Sequence, residues 1–571
     1  MARFLELNGE SYEAACEAFE WNLPEEYNVA RDCVQKHDPD AVALYQGYPD
    51  GRREMYTFGD VDDWSGRVAG GLRECGIERG DRVAIALGQQ PETLVSHLAC
   101  WKLGAVSVPL SPLFGDEAFR HRLVDSGADV AIIDRRVAES VAAVREACPD
   151  LTYVVTVDPI DEEEERIGED STSTGGASGL VDDGEIMSPA GDCSFDDLEA
   201  NTPSIEIVST MLEDPAVIIY TSGTTGKAKG VVHGQAIWRS YCPAFRLYFE
   251  HPHARPTEGV YWTPSDWAWI GGLGTVVFPA WHYGRPVIGR PIRSFDAETV
   301  YDVLESFGVT HASLPPTALR LLRQEDVSPS AFDLSLKVIV SGSEPLTSEA
   351  IEWVEEAFDG VVVNEGYGQT EIGNAVVNCQ SWFELRPGSM GKPVPGYDVA
   401  ILEQDTSELI PTGTIGEIAV RANDNPGVFQ RYWGEVGDSD PTDNGWHRTG
   451  DLAHRDEDVY VWFAARDDDL IISSGYRIAP SDVEQALLSH EAVTSAGVVG
   501  IPDDRRGERV TAFLTLTEET VPSESLRESL RDAVREDVAK YAYPRDITFV
   551  DRLPTTRTGK IDRRALVEHE E

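Results

Sequence analysis

A chain of 571 residues is too long for one hydrophobic core, so two or more domains are expected. Its 100 acidic and 48 basic residues leave a formal charge of -52 spread along the chain, which argues against nucleic acid and anionic membranes as partners, because phosphate binding needs basic clusters. Self-repulsion of this size is screened by concentrated salt, so the composition points to a halophilic protein of a salt-rich cytoplasm.

The first 21 residues lack a basic start and a long apolar run, and no window reaches the roughly 18 apolar residues of a membrane span, so a protein without signal peptide or membrane anchor is expected. Val61, Trp64, Val68 and Leu72 fall on one helical face, Val83–Leu87 reads as a strand, and Pro91–Leu103 has helical periodicity with Leu94, Leu98 and Trp101 on one side. Val106–Val108, Val130–Ile133 and Tyr153–Val157 are further strands, and this alternation indicates parallel α/β layers. Residues 158–203 break the pattern. The part from 158 to 200 carries 15 acids against one Arg, and the whole stretch reads as a mobile surface insertion without catalytic content.

Alternation resumes at the strand Ala216–Ile219 and continues to about 450. Beyond about 466 the character changes to a compact α+β module. Ser481, Asp482, Val483 and Glu484 read as a capping box after Pro480, Val510–Leu516 as a strand, Ser523–Val538 as a helix with Leu526, Leu530 and Val534 on one stripe, and Ile547–Val550 as a strand. The polar run Arg466 to Asp469 reads as a hinge, which divides the chain into 1–466 and 467–571. Eight scattered cysteines without a C-x-x-C pair read as reduced thiols rather than a disulfide framework or metal site.

Directly after Ala216–Ile219 comes the run Tyr220, Thr221, Ser222, Gly223, Thr224, Thr225, Gly226, Lys227, Ala228, Lys229, Gly230. Glycines let such a backbone fold around an anion, while four hydroxyls and two lysines offer donors and positive charge to polyphosphate. It is not a Walker A loop, which would need Gly at 221 and Ser or Thr at 228. The lysines matter because the chain has only eight beside 40 arginines.

Six further motifs follow in order: Trp262 to Trp269 (WTPSDWAW), Ser341 to Pro345 (SGSEP), Glu365 to Glu371 (EGYGQTE), Trp446 to Asp451 (WHRTGD), Arg466 to Arg477, and Pro554 to Lys560 (PTTRTGK). With the 220–230 run they resemble the adenylate-forming superfamily and, within it, the AMP-forming acyl-CoA synthetases of the medium-chain/acetyl-CoA synthetase-like branch. The resemblance runs from about 25 to 566. It implies an α/β fold with a large multi-subdomain N-terminal domain and a small mobile α+β C-terminal domain. It also implies the substrates ATP, CoA and a carboxylic acid, with Mg2+ as cofactor, in a monomer or small homo-oligomer.

The implied roles attach to individual residues. Tyr367 would stack on adenine, with Gly342, Ser343, Glu344 and Pro345 lining the pocket's other side and Glu365, Gly366, Gly368, Gln369 and Thr370 around it. Asp451 would accept the ribose hydroxyls, and Arg466 would hold ribose and phosphate, although Ala465 stands where the family often has Gly. Thr221 and Glu371 are hard oxygen ligands suited to Mg2+. Asp468 would be the hinge, and Ser474, Gly475 and Arg477 would meet the pantetheine of CoA. Lys560 would be the catalytic cation, because a carboxylate attacking an α-phosphate brings two anions together.

The acyl pocket would be lined by Trp267, Trp269, Ile270, Gly271, Gly366 and Gly368. Acetate-specific relatives carry tryptophan where Gly368 stands, so glycine is read as removing the floor and admitting short-branched, medium-chain or aromatic acids. The alternative is a stand-alone adenylating enzyme that loads a carrier protein. An amino-acid substrate would usually need a pocket Asp for its ammonium, and the only one in these motifs is Asp266.

Overall fold

The computed structural model describes residues 4–160, 191–200, 203–221 and 228–570, except 293–294, 345, 405, 423–424, 435–441, 443, 467–468, 474–475, 504–505, 518–519, 539–541 and 556–560. Among these residues the strands form sheets of thirteen, eight and five strands. The first two belong to a large α/β N-terminal domain and the third to a small C-terminal one.

Helix α1 (Phe58–Glu74) starts at Thr57, whose hydroxyl accepts the Asp60 N–H while the Asp60 carboxylate accepts the Thr57 N–H. Val61, Val68 and Leu72 are buried on one face with Trp64 half-buried beside them, as the periodicity predicts. Helix α2 (Pro91–Leu103) opens on its proline and ends at the left-handed Gly104 (φ 73°). It is buried all round rather than on one side, because it meets α1, the eight-stranded sheet and the rings of Trp238 and Phe278 at once.

The eight-stranded sheet runs, in spatial order, from Arg431–Tyr432 through β2 (Lys229–Gly234), β1 (Pro215–Thr221), Val106–Pro109, Arg82–Ala86, Val130–Asp134 and Tyr153–Val157 to Cys193–Ser194. All pairings from β1 to Cys193–Ser194 are parallel, and β1 and β2 are antiparallel. The last strand corrects the expected insertion. Ser194 caps the short helix Phe195–Glu199 reciprocally with Asp197, and Phe195 and Leu198 are 4% and 5% exposed. Two apolar side chains three residues apart suffice to dock this helix on α1, where Gly71 lets the chains touch: a Cβ there would lie 2.0 Å from the Leu198 carbonyl. Residues 161–190 of the acidic stretch lie outside the described residues.

In the thirteen-stranded sheet, helix α3 (Pro316–Gln324) precedes β3 (Val338–Gly342), which is parallel to β4 (Val362–Gln369). Strand β5 (Gly373–Val377) folds back antiparallel on β4, and β6 (Trp446–Arg455) is antiparallel to β7 (Val461–Arg466).

The C-terminal sheet contains the hairpin β8 (Ile471–Ser473) and β9 (Tyr476–Ile478), then helix α4 (Pro480–Leu488) and the long antiparallel pair β10 (Val493–Asp503) and β11 (Gly507–Leu516). Helix α5 (Glu524–Asp537) starts at its Ser523 cap and buries Leu530 and Val534, with Leu526 packed at the edge, against Val498, Ala512 and Leu514. Strand β12 (Asp546–Phe549) joins β11 in parallel, and helix α6 (Arg563–Glu570) ends the chain. The expected capping box at Ser481 is corrected. Pro480 takes the first helical position, Ser481 falls inside the first turn and donates to the Ala464 carbonyl, and Glu484 binds the Val498 N–H and Arg563 instead.

All eight cysteines are free thiols. Among the described residues no helix is long and apolar enough to cross a membrane.

The interior is rich in histidine. Burial pushes His37, His97 and His311 down to about 3 and His233, His251 and His282 down to about 4. His97 is the simplest case, fully buried in α2 against Trp101 and Phe278, with burial the only cause. Below its ordinary 6.5 the unfolded chain takes a proton there that the folded chain refuses, so stability falls as pH falls. We predict that His97→Leu gains about 2 kcal/mol relative to the parent between pH about 7.5 and about 5.0. Urea titrations in molar KCl at both pH values check this.

Candidate active site

Parallel pairing sets Ser341 beside Glu365 and Gly342 beside Gly366. The approach is so close that a Cβ on Gly342 would lie 2.5 Å from the Gly366 carbonyl. Ser343 then turns the chain in the left-handed region (φ 76°), which a non-glycine residue adopts only when its surroundings fix it. Glu344 follows and accepts from Arg320 of α3 at 3.1 Å, and Pro345 lies outside the described residues. The two segments expected around adenine are therefore adjacent. Glu365 is buried, accepts only weakly from the Leu346 N–H at 3.3 Å, and has its carboxyl pushed up to about 8 by burial.

The next residues of β4 meet the end of the β6–β7 ladder. Asp451 pairs across that ladder with Arg466 and is 5% exposed. Its Oδ2 accepts the Tyr367 phenol at 2.8 Å and the Gln369 amide at 2.5 Å, while its Oδ1 lies 3.5 Å from the Arg466 guanidinium. Gln369 also donates to the Thr449 carbonyl at 2.9 Å. Burial, and then the Asp451 charge, hold the Tyr367 phenol well above its ordinary range, so it stays a donor. Three side chains from two separate motifs thus converge on one carboxylate.

Beside this cluster, Glu371 Oε1 accepts the Tyr432 phenol at 3.1 Å, and the Lys229 ammonium lies 5.1 Å from the centre of the Tyr432 ring. Burial raises the Glu371 carboxyl, Arg466 opposes the shift, and Asp451 adds to it, so the three groups share one field. Thr221 ends β1 opposite Lys229 on β2. Thr370 presents its carbonyl to His233 at 2.6 Å. Ser222, Gly223, Thr224, Thr225, Gly226 and Lys227 lie outside the described residues. Tyr432 and Arg320 had no motif signal in the sequence. Tyr432 reaches the site because the Phe429 N–H donates to the Glu371 carbonyl at 2.8 Å.

No group of three His, Cys, Asp or Glu side chains that could hold a metal ion gathers among the described residues. A hydroxyl and a carboxylate, Thr221 and Glu371, are nevertheless a donor set that fits Mg2+, which takes few protein oxygens and completes its shell with water and phosphate.

Of the residues expected on the acyl side, Trp267 is buried, 1% exposed, and its ring end would lie 3.1 Å from a Cβ on Gly289. Trp269 and Ile270 are half-buried, and the edge of Phe114 meets Trp269 with ring centroids 5.9 Å apart. A side chain at Gly271 would enter open space, and one at Gly366 would make ordinary contact with Val377 and Tyr248. Gly368 behaves differently. A Cβ there would lie 2.0 Å from the Gly373 carbonyl, at the register shift between β4 and β5. The glycine answers to that bulge. Asp266 accepts from Ser111 at 2.9 Å and the Ala268 N–H at 3.0 Å, so its carboxylate is held by the loop it belongs to.

In the C-terminal domain, Ser473 donates to the Glu508 carbonyl at 2.6 Å, which ties the β8–β9 hairpin to β11. Arg477 pairs with Ile472 in that hairpin. Asp468, Ser474, Gly475 and Lys560 lie outside the described residues.

The AMP-binding enzyme family model matches residues 31–433, and the AMP-binding enzyme C-terminal domain model matches 482–560. The chain is 34% identical over 567 residues to the acyl-coenzyme A synthetase ACSM4, mitochondrial, of Rattus norvegicus, covering 96% of this chain and 91% of that protein. It is 32% identical over 553 residues to the acetyl-coenzyme A synthetase of Bacillus subtilis (strain 168), covering 94% and 90%. Its fold matches the crystal structure of the anthranilate CoA ligase AuaEII in complex with anthranoyl-AMP with a TM-score of 0.80 and 27% identity, covering 96% and 99%. A charged and hydrogen-bonded cluster set by motifs in family order, inside two family domains in sequence, leads to one conclusion: the chain belongs to the AMP-binding enzyme family and is an AMP-forming CoA ligase.

Proposed function

We propose that the protein converts a carboxylic acid, ATP and CoA into acyl-CoA, AMP and pyrophosphate through an acyl-adenylate. The observation that carries this reading is the convergence of Tyr367, Gln369 and Arg466 on the buried Asp451, with Glu371 in the same field. Asp451 is the ribose acceptor in this reading, because a carboxylate offers lone pairs to two hydroxyls while Arg466 keeps it charged. Tyr367 offers its ring face to adenine beside Gly342, Ser343 and Glu344. Thr221 and Glu371 would hold Mg2+, which when bound neutralises phosphate charge.

In the first half-reaction a carboxylate oxygen bonds to the α-phosphorus as the bond to pyrophosphate breaks, and Lys560 stabilises the charge gathering there. In the second, the CoA thiol loses its proton to solvent as its sulfur bonds to the acyl carbon, and the acyl–oxygen bond breaks so that AMP leaves with the electron pair. The first step reacts at the α-phosphorus and the second at the acyl carbon, so they need different neighbours, and the C-terminal domain turns about Asp468, withdrawing Lys560 and presenting Ser474, Gly475 and Arg477. The diffuse acidic charge suits this work to a salt-rich cytoplasm.

The acid is short-branched, medium-chain or aromatic rather than strictly acetate, on the strength of the open space at Gly271 and the tolerant surroundings of Gly366. Asp266 is already held by Ser111 and Ala268, which disfavours an amino-acid substrate and with it the carrier-protein alternative.

A panel of aliphatic and aromatic acids assayed in molar KCl for AMP and CoA thioester tests the overall reaction. AMP formed without thioester would favour the carrier-protein alternative. We predict that Lys560→Ala abolishes adenylation but keeps thioester formation from supplied acyl-adenylate, and that a bulky residue at Gly475 does the reverse. Normal adenylation by Lys560→Ala would sink the assigned role. We also predict that Gly271→Trp lowers kcat/KM by about 10-fold or more for the longer acids while sparing the shortest, since each methylene is worth about 1–3 kcal/mol. An equal loss across chain lengths would place the pocket elsewhere.

A further inference from the structure

The segment that carries Lys560 is anchored at a point the mechanism above does not use. Thr555 and Ile561 form an isolated antiparallel bridge, and the Asp562 N–H donates to the Pro554 carbonyl at 2.9 Å. This bridge brackets residues 556–560, so Lys560 is covalently one residue from a fixed point. Leu553, Ile561 and Leu566 pack with Val499, Ile501 and Phe513. A Cβ on Gly497 of β10 would lie 2.8 Å from Leu566 and 3.3 Å from Ile561, so the tail lies tightly on that strand.

Two residues beyond the bridge, Arg563 opens α6 and reaches three separate parts of the domain. One terminal nitrogen donates to both carboxylate oxygens of Glu484 on α4, at 2.7 and 2.9 Å. The other lies 3.6 Å from Asp469, the residue directly after the expected hinge, and the Nε donates to the Val498 carbonyl at 3.4 Å. Glu484 is fixed in turn, since its Oε1 also accepts the Val498 N–H at 2.8 Å. The Glu484 and Arg563 side chains are 13% and 27% exposed, so water does little to loosen the pair. Burial works against the charge of Arg563, and Glu484, Asp469 and, as the smallest contributor, Glu344 of the proposed adenine turn outweigh it.

We propose that Arg563 is a positioning residue for adenylation: it clamps the base of the lysine-bearing segment to Glu484 and to the hinge-side residue Asp469, so that the hinge setting is transmitted to the lysine. The inference rests on the role of Lys560 proposed above. An ammonium on a flexible stem is useful at an α-phosphate only if its backbone arrives at a fixed place. A shift of about 1 Å costs such steps about 100-fold. The CoA-side hairpin has a further anchor of its own, Ser473 on Glu508, which the clamp variants leave in place.

The test uses the full-length protein in molar KCl, with Arg563→Met, Arg563→Lys and Glu484→Gln. Adenylation is read by ATP–pyrophosphate exchange, thioester formation is read from supplied acyl-adenylate and CoA, and Tm is measured in parallel. Arg563→Met and Glu484→Gln are expected to lower the kcat of exchange by about 10- to 100-fold with KM for ATP unchanged and the thioester step retained. Arg563→Lys should recover only part of the loss, since an ammonium cannot reproduce the guanidinium's three-way contact. Exchange at the parent rate in Arg563→Met or Glu484→Gln, or a parallel fall of both half-reactions with Tm, would overturn the proposal. If Arg563→Met does not fold, Glu484→Gln decides by the same readouts. Lys560→Ala run alongside separates the two ideas: if it exchanges normally, the lysine role itself is wrong, whereas its loss with normal exchange in the clamp variants removes only the clamp.

Discussion

The candidate site depends on meeting the lone pairs of one carboxylate held out of bulk water. Asp451 is almost fully enclosed, and an enclosed anion survives only when its lone pairs are met. Tyr367 and Gln369 come from one strand and Arg466 from another, so the carboxylate is satisfied only if β4, β6 and β7 keep their registers. A slip of one residue in β6 would send Asp451 to the opposite face and leave three donors without their common acceptor. The same field reaches Glu371, whose burial would otherwise favour its neutral form and which Arg466 pulls back toward charge. The ladder geometry of the thirteen-stranded sheet is therefore also an electrostatic device.

Much of this arrangement was legible in the residues. The amphipathic stripe of α1, the proline start and glycine stop of α2, and the apolar strands of the parallel sheet follow from side-chain period and backbone chemistry that act locally. The motifs picked out Tyr367, Gln369, Asp451 and Arg466, which the fold gathers into one cluster. What escaped was set by distant partners. Tyr432 and Arg320 sit in no motif, and contacts with Glu371 and Glu344 bring them into the site. The helix at Phe195–Glu199 was hidden by the acidic residues around it, although Phe195 and Leu198 carry its docking. Ser481 to Glu484 had the spelling of a capping box, but Glu484 finds a stronger partner in Arg563.

Glycines in the site motifs do different work at different positions, and type alone does not separate them. Gly342 and Gly368 each face a carbonyl from a neighbouring strand, at 2.5 and 2.0 Å from where a Cβ would stand, and are fixed by backbone packing. Gly271 faces open space.

The histidine-rich interior has a consequence for the working range of the protein. Its outer surface and its core respond oppositely to acid. Protonating some of the 100 acidic groups would relax the repulsion that strains the folded chain at low salt. The same change presses protons on imidazoles such as His97 and His233, which the core excludes. The buried imidazoles therefore lower stability as pH falls, whatever salt does for the outer surface.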